Sequence, residues 1–247
     1  MPRSSSVTTS PARRPSLASG RGAFVLVGLV LVPFVVLLVA VLAVQKGPLG
    51  VDTWWAGVVA GWHVPGLTAG ARLVSDLGGG VVGGVEVPAA LAALVWWLRS
   101  RAAAVVFVAG GVLSLAATQV VKHLVERPRP STPGSLDSFP SGHVANAATL
   151  ALLLVLLLGV RWLLPLAVVW PGLMALSRTV LGVHWLSDTL AAMFLGAAVA
   201  LVTVLLATRF VPAALGPRPL WPRPLRPGPG RPEESGSWQV PRASVRP

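Results

Sequence analysis

Between Ala23 and Val44 the chain carries no charged side chain, and about 20 such residues suffice for a helix to cross the hydrocarbon core of a bilayer. Inside that medium every backbone polar group needs a partner within the protein, so an apolar run of this length folds as a helix. Similar blocks recur along the 247 residues, and charge punctuation divides them into six predicted spans near 23–44, 81–98, 102–121, 144–160, 163–176 and 190–208. The fifth is short against a minimum of roughly 17 residues and is expected to extend into its flanks. With 54% hydrophobic and 11% charged residues the chain lacks the charge to cover a soluble domain of this size. The expected fold class is all-α, a bundle of six transmembrane helices.

Three regions follow. Residues 1–22 are rich in Ser, Pro and Arg without apolar periodicity and read as a disordered cytoplasmic arm. Residues 23–209 form the transmembrane domain, and residues 210–247, dense in Pro, Arg and Gly, read as a disordered cytoplasmic tail. The first apolar block is too long for the core of a signal peptide and is expected to be retained. Cysteine is absent, which removes disulfides, thiol nucleophiles and cysteine-ligated metals. The net charge of +12 sits mostly in the termini and short loops, as in a protein oriented by its cations rather than one that binds nucleic acid. Arg3, Arg13, Arg14, Arg21, Arg99, Arg101, Arg161 and the seven arginines beyond the sixth span would all be cytoplasmic. Lys46, Arg72, Lys122, Arg127, Arg129 and Arg178 would be left outside a multi-pass plasma-membrane protein.

The connection from Lys46 to Gly80 is long for a helical bundle and holds Trp54, Trp55 and Trp62. Tryptophan favours the headgroup layer, so this stretch is expected either as an interfacial helix between the first and second spans or as a loop packed over the bundle.

Polar side chains collect in three segments on the outer side. The first runs from Lys122 through Arg127 and Arg129 to Pro130, the second is Phe139-Pro140-Ser141-Gly142-His143, and the third runs from Ser177-Arg178 to His184 and Asp188. Four cations against Glu126 and Asp188 would repel one another unless an anion lay between them, and guanidinium forks fit phosphate oxygens. A helix starting at Ser141 and Gly142 would add backbone N–H groups to the same anion. His184 and Asp188 lie one helical turn apart, so the carboxylate can hold one imidazole nitrogen and free the other as a nucleophile. A pair so spaced also suits a plain local hydrogen bond. His143, on another segment, is suited to protonate a leaving oxygen.

Lys122-x6-Arg129-Pro130, then Pro140-Ser141-Gly142-His143, then Ser177-Arg178-x5-His184-x3-Asp188 resembles the signature of the type 2 phosphatidic acid phosphatase superfamily. That group includes lipid phosphate phosphatases and vanadium haloperoxidases. The resemblance covers the chain from Lys122 to the sixth span. It implies a hydrolase without metal or other cofactor, in which Lys122, Arg129, Ser141, Gly142 and Arg178 bind phosphate. It further implies that His184 attacks phosphorus, Asp188 orients His184, and His143 is the general acid. Val180 and Leu186 depart from what is common in the family, at positions that are not catalytic.

The implied partners are the bilayer and a lipid phosphate at the outer face: undecaprenyl or decaprenyl pyrophosphate, phosphatidic acid, or phosphatidylglycerol phosphate. A vanadate haloperoxidase is disfavoured by the apolar spans. A lipid carrier or scramblase would need the cations but neither histidine. Glu86, within the second span, is weighed as an intramembrane acid, and His123 and Arg127 stand at variable positions of the first motif. Sidedness is testable in this cysteine-free chain. Cysteine at Ser135 should react with a membrane-impermeant maleimide in intact cells, and cysteine at Ser237 only after permeabilisation; the reverse pattern would turn the three segments to the cytoplasm.

Overall fold

A computed structural model describes residues 20–132 and 134–212. The disordered character expected of the N-terminal arm and the arginine-rich tail falls outside these residues, apart from the helical turns that begin at Gly20 and end at Phe210. The described residues form helices α1 (Gly20–Ala43), α2 (Gly50–Ala60), α3 (Leu67–Leu77), α4 (Val87–Leu98), α5 (Arg101–Val125), α6 (Gly142–Leu158), α7 (Leu164–Val180) and α8 (Leu186–Phe210), without a strand among them.

Four helical stretches are long and apolar enough to cross a membrane: Val25–Ala43, Arg101–Val125, Arg161–Val180 and Leu186–Phe210. The fifth predicted span thus lengthens into both flanks, as expected. A further candidate is a bent pair, α3 with Val82–Leu98, at an angle of 43°. The remaining one, α6, has 17 residues, which is about 25 Å of helix. The expected six spans therefore correspond to four clear candidates, one broken element and one short helix.

The short helix is the centre of the bundle. Helix α6 packs against α4, α5, α7 and α8, and residues from Val144 to Leu158 are buried on every face. A helix apolar all round belongs in an interior. Its closest neighbour is α8, where Gly196 makes the approach achievable: a Cβ there would lie 2.3 Å from the Ala145 carbonyl oxygen and 2.9 Å from the Ala148 Cβ. The Thr149 hydroxyl sits at the same crossing, 2.9 Å from the Ala145 oxygen, 3.0 Å from the Gly196 oxygen and 3.0 Å from the Ser114 hydroxyl of α5. Small residues and shared hydroxyls of this kind hold helices together where the hydrophobic effect cannot.

The break before α4 has a sequence cause. Pro88 has no N–H for the Gly84 carbonyl and its ring would strike it. The chain responds with a π turn over Val82–Glu86, in which the Val87 N–H donates to the Val82 oxygen. The long connection after the first span forms two helices. Helix α2 packs on α7 and α8, and α3 on α7. The Ser177 hydroxyl donates to the Ala71 oxygen at 2.6 Å, and the next residue, Arg178, donates from its guanidinium to the Ser75 hydroxyl one turn further along α3. The tryptophans form a cluster, Trp55 meeting Trp54 at 6.0 Å and Trp62 edge-on at 5.6 Å.

Because α5 and α7 end where α6 and α8 begin, all three polar segments come to one end of the bundle. Gly196→Ala should destabilise the protein by about 1–3 kcal/mol through the α6–α8 contact. Gly172→Ala, where a Cβ meets nothing within 4 Å, should be close to neutral. Thermal unfolding of both variants in detergent checks the difference.

Candidate active site

The loops at this end are held by backbone before any side chain is considered. The Ser138 N–H donates to the Arg127 oxygen at 2.9 Å, Arg129 N–H to Ser135 at 3.2 Å, and Ser131 N–H to Gly182 at 3.1 Å. Phe139, fully buried, stacks on Phe34 of α1 with centroids 6.2 Å apart, which anchors the loop entering α6. The Trp185 indole N–H reaches the Pro128 oxygen at 3.1 Å and joins the first segment to the third.

Asp188 occupies the first turn of α8 and has no exposed surface. Its Oδ2 accepts from the Trp185 N–H at 2.9 Å and from the Ser138 hydroxyl at 2.5 Å; its Oδ1 accepts from Arg127 at 2.5 Å. His184 lies above it. The Nδ1–H of His184 donates to the Ser138 carbonyl at 2.8 Å, whereas the Asp188 carboxylate stands 3.7 Å away. The expected His–Asp contact is thus an ion-pair distance, and the hydrogen bond that fixes the tautomer goes to backbone. Nδ1 being engaged, Nε2 is the nitrogen left for the pocket that His184 lines. Burial holds the imidazole below its ordinary pKa, opposed by the nearby Asp188, so the ring is neutral near pH 7.

A pocket of about 530 Å³ brings together Lys122, Arg129, Gly142, His143 and His184. Its other wall is apolar, with Val85, Pro88 and Ala89 facing Val108, Val112 and Leu115 across the space between α4 and α5. Gly79 closes the wall at His143, where a Cβ would fall 1.8 Å from the His143 Nε2. Ser141 and Arg178 lie behind the lining, both buried. The Ser141 Oγ and the Arg178 Nε have no hydrogen-bond partner among the described residues. The N-terminus of α6 also lacks a side-chain cap, so its first N–H groups remain available beside the pocket. Donors collected in this way, around a helix N-terminus, fit an anion.

Two residues outside the expected set hold the site. Arg127, fully buried, donates to Ser187 Oγ at 2.8 Å, to Asp188 Oδ1, to the Gly47 oxygen at 2.8 Å and to Asp52 Oδ2 at 2.8 Å. Asp52, in the first turn of α2, also accepts from the Ser187 N–H and hydroxyl, each at 2.8 Å, and from the Leu49 N–H at 2.9 Å. Arg127 therefore faces protein acids rather than the pocket. A second acid, Asp137, accepts from Arg129 Nε and Nη2 at 2.7 Å each and from Lys122 at 3.4 Å. Glu86 and His123 are exposed and outside the pocket lining.

Removing Arg127 would leave Asp52 and Asp188 buried without their cation. Arg127→Ala should cost about 3–5 kcal/mol, measured as loss of thermal stability in detergent. An unchanged stability would mean that the pair of carboxylates is held by its N–H and O–H donors alone.

The sequence profile of the PAP2 superfamily matches residues 102–212. The decaprenylphosphoryl-5-phosphoribose phosphatase of Mycobacterium tuberculosis is 37% identical over 143 residues, which is 55% of this chain and 77% of the relative. The protein of the same description from Mycolicibacterium smegmatis is 40% identical over 132 residues, 50% of this chain and 70% of the relative. Among solved structures, a transmembrane PAP2-type phosphatidylglycerolphosphate phosphatase from Bacillus subtilis superposes with a TM-score of 0.63 at 23% identity. That match covers 74% of this chain and 96% of the other, and shows a shared fold. An all-helical membrane chain with these motifs and these relatives belongs to the PAP2 superfamily and is a phosphatase.

Proposed function

We propose that the protein hydrolyses a lipid phosphate or pyrophosphate through a phosphohistidine intermediate, at the extracytoplasmic face of the plasma membrane. The reading is carried by one arrangement: an imidazole fixed through Nδ1 near two buried donors, the Ser141 hydroxyl and the Arg178 Nε, that have no acceptor among the described residues. Phosphate oxygens supply those acceptors. Lys122, Arg129 and Arg178 neutralise the group, and Ser141 with the N–H groups at Gly142 completes the cradle.

His184 Nε2 attacks phosphorus and forms the N–P bond while the ester P–O bond breaks. His143 gives its proton to the departing oxygen, so that the alcohol, or the shorter phosphate, leaves neutralised. Water then attacks the phosphohistidine, its proton passes to His143, and the N–P bond breaks to release phosphate and free His184. Asp188 holds His184 in place and steadies the charge that the ring acquires. Cations of the chain take the part that a metal clamp plays elsewhere.

The apolar wall between α4 and α5 favours a substrate whose tail stays in hydrocarbon while its phosphate enters the polar end. The mycobacterial relatives point to a decaprenylphosphoryl-linked phosphosugar as one substrate. Polyprenyl pyrophosphates, phosphatidic acid and phosphatidylglycerol phosphate satisfy the same geometry. In the bilayer, Val82–Leu98 and α6 would complete six spans with the four clear candidates, and α2 with α3 would lie at the outer interface. The positive-inside rule applied to Arg99, Arg101 and Arg161 places the site outside.

Phosphate release from lipid phosphates in detergent tests the mechanism. His184→Ala should give no turnover, and Asp188→Asn should be roughly 10³–10⁴-fold slower than wild type. Acid-labile radioactive phosphate should be trapped on wild type and not on His184→Ala; equal labelling of both would reject the phosphohistidine. Activity should survive EDTA, and orthovanadate should compete with substrate.

A further inference from the structure

Asp137 stands where the mechanism has no use for an acid. Its carboxylate takes both Nε and Nη2 of Arg129 at 2.7 Å and lies 3.4 Å from the Lys122 ammonium. The Ser135 hydroxyl donates to it from the other side. Its side chain is 45% exposed and lies outside the pocket lining, held against Lys122 and Arg129, which do line it. The Arg129 guanidinium keeps the carboxyl ionised well below the usual carboxylate range. Arg129 still has Nη1 free of Asp137, so an entering phosphate does not have to displace the acid. It has to tolerate it.

Charge decides what can be tolerated. Lys122, Arg129 and Arg178 bring three positive charges to the cradle, and Asp137 removes one of them at contact distance. Two net positive charges match a phosphate monoester, which carries about −2 near neutral pH. A pyrophosphate monoester carries one negative charge more and faces the same carboxylate beside Lys122 and Arg129. Other charges do not change the comparison. Asp76, exposed, attracts Arg178 without a salt bridge among the described residues and is the same in wild type and variant, Glu126 pairs with Lys46 at 3.8 Å, and the buried Arg127–Asp52–Asp188 group lies beneath either substrate.

Resting on the phosphatase reading above, we propose that Asp137 is a specificity-determining residue that tunes the site toward phosphate monoesters and against pyrophosphate esters. Removing its charge relieves the repulsion felt by both, and more of it for the more highly charged substrate.

The test uses the full chain in detergent, with a polyprenyl monophosphate and the pyrophosphate of the same polyprenol. Asp137→Asn keeps an acceptor for Arg129 and loses the charge. It should raise the ratio of kcat/KM for pyrophosphate over monophosphate roughly two- to fivefold, the size expected of one half-exposed charge. If both rates fall and the ratio stays fixed, Asp137 only orients Arg129 and the proposal is overturned. A shift of the ratio toward the monophosphate overturns it as well. A second measurement needs no turnover: the Kd of inorganic pyrophosphate relative to that of orthophosphate should fall by a similar factor in Asp137→Asn, and an unchanged ratio of Kd values counts against the proposal. Should wild type hydrolyse neither lipid, the lipid substrate is wrong, and the ratio of Kd values still judges Asp137.

Discussion

Arg127 has no exposed surface, and neither have the two carboxylates it joins, Asp188 at 2.5 Å and Asp52 at 2.8 Å. Taking three ionised groups out of water costs several kcal/mol for each, and one cation does not neutralise two acids. The remaining negative charge is met by structure. Asp52 lies in the first turn of α2 and Asp188 in the first turn of α8, each accepting the N–H of the residue preceding its helix. Each helix thus turns its positive end toward its own acid. The Ser187 hydroxyl and N–H, the Ser138 hydroxyl and the Gly47 carbonyl use up the other directions. With one guanidinium, the start of α2, the start of α8 and the loop leaving α5 are fixed relative to each other, and His184 stands on the result.

That dependence divides residues the sequence presents as alike. Arg127 and Arg178 are both buried arginines near a helix end. Arg127 is saturated by chain acceptors, whereas Arg178 donates to the Ser75 hydroxyl and keeps a buried Nε without a partner among the described residues. An arginine satisfied by protein is scaffold; one that keeps an open donor in a buried place needs an anion. The helix starts divide in the same way. Those of α2 and α8 are capped by their own aspartates, and that of α6 has no side-chain cap and opens beside the pocket. What distinguishes the phosphate cradle from its support is therefore the state of its hydrogen bonds, more than its residue types.

This explains which parts were legible in the sequence. Apolar runs between charges located α1, α5, α7 and α8, because bilayer thickness sets a length that composition reveals. Lys122, Arg129, His143 and His184 could be read as a group because each is a polar residue near the end of an apolar run, with Gly142 at the start of the next helix, and topology brings those ends together. Asp52 could not be read in that way. It lies 135 positions from Ser187, its hydrogen-bond partner, just before the tryptophans that suggested a surface helix. Its faint signal was an acid three residues into a helix that follows Gly47-Pro48, the usual place of a capping carboxylate. Arg127 appeared variable because its role depends on Asp52. The sequence pairing of His184 with Asp188 was right in neighbourhood and incomplete in detail, since no spacing rule foretells that a backbone carbonyl, Ser138, takes the Nδ1 proton.

Helix α6 carries the argument from fold to site one step further. It is surrounded by α4, α5, α7 and α8, so its position is set by packing within the protein, while its start opens beside the pocket. Gly196 allows α8 to lie against it, which sets Asp188 and therefore His184 at a fixed height above Ser141; the Ser141 N–H donates to the Asp188 backbone oxygen at 3.3 Å. On the opposite side Gly79 lets the bend before the π turn close on His143 without a side chain between them. A nucleophile and a proton donor held by different helices are useful only if their separation is constant. Here both separations are measured from the same buried helix, one through a glycine contact with α8 and the other through a glycine contact with the turn before α4. The apolar wall that α4 and α5 give the pocket can then take a substrate tail without disturbing the distances on which the proposed catalysis depends.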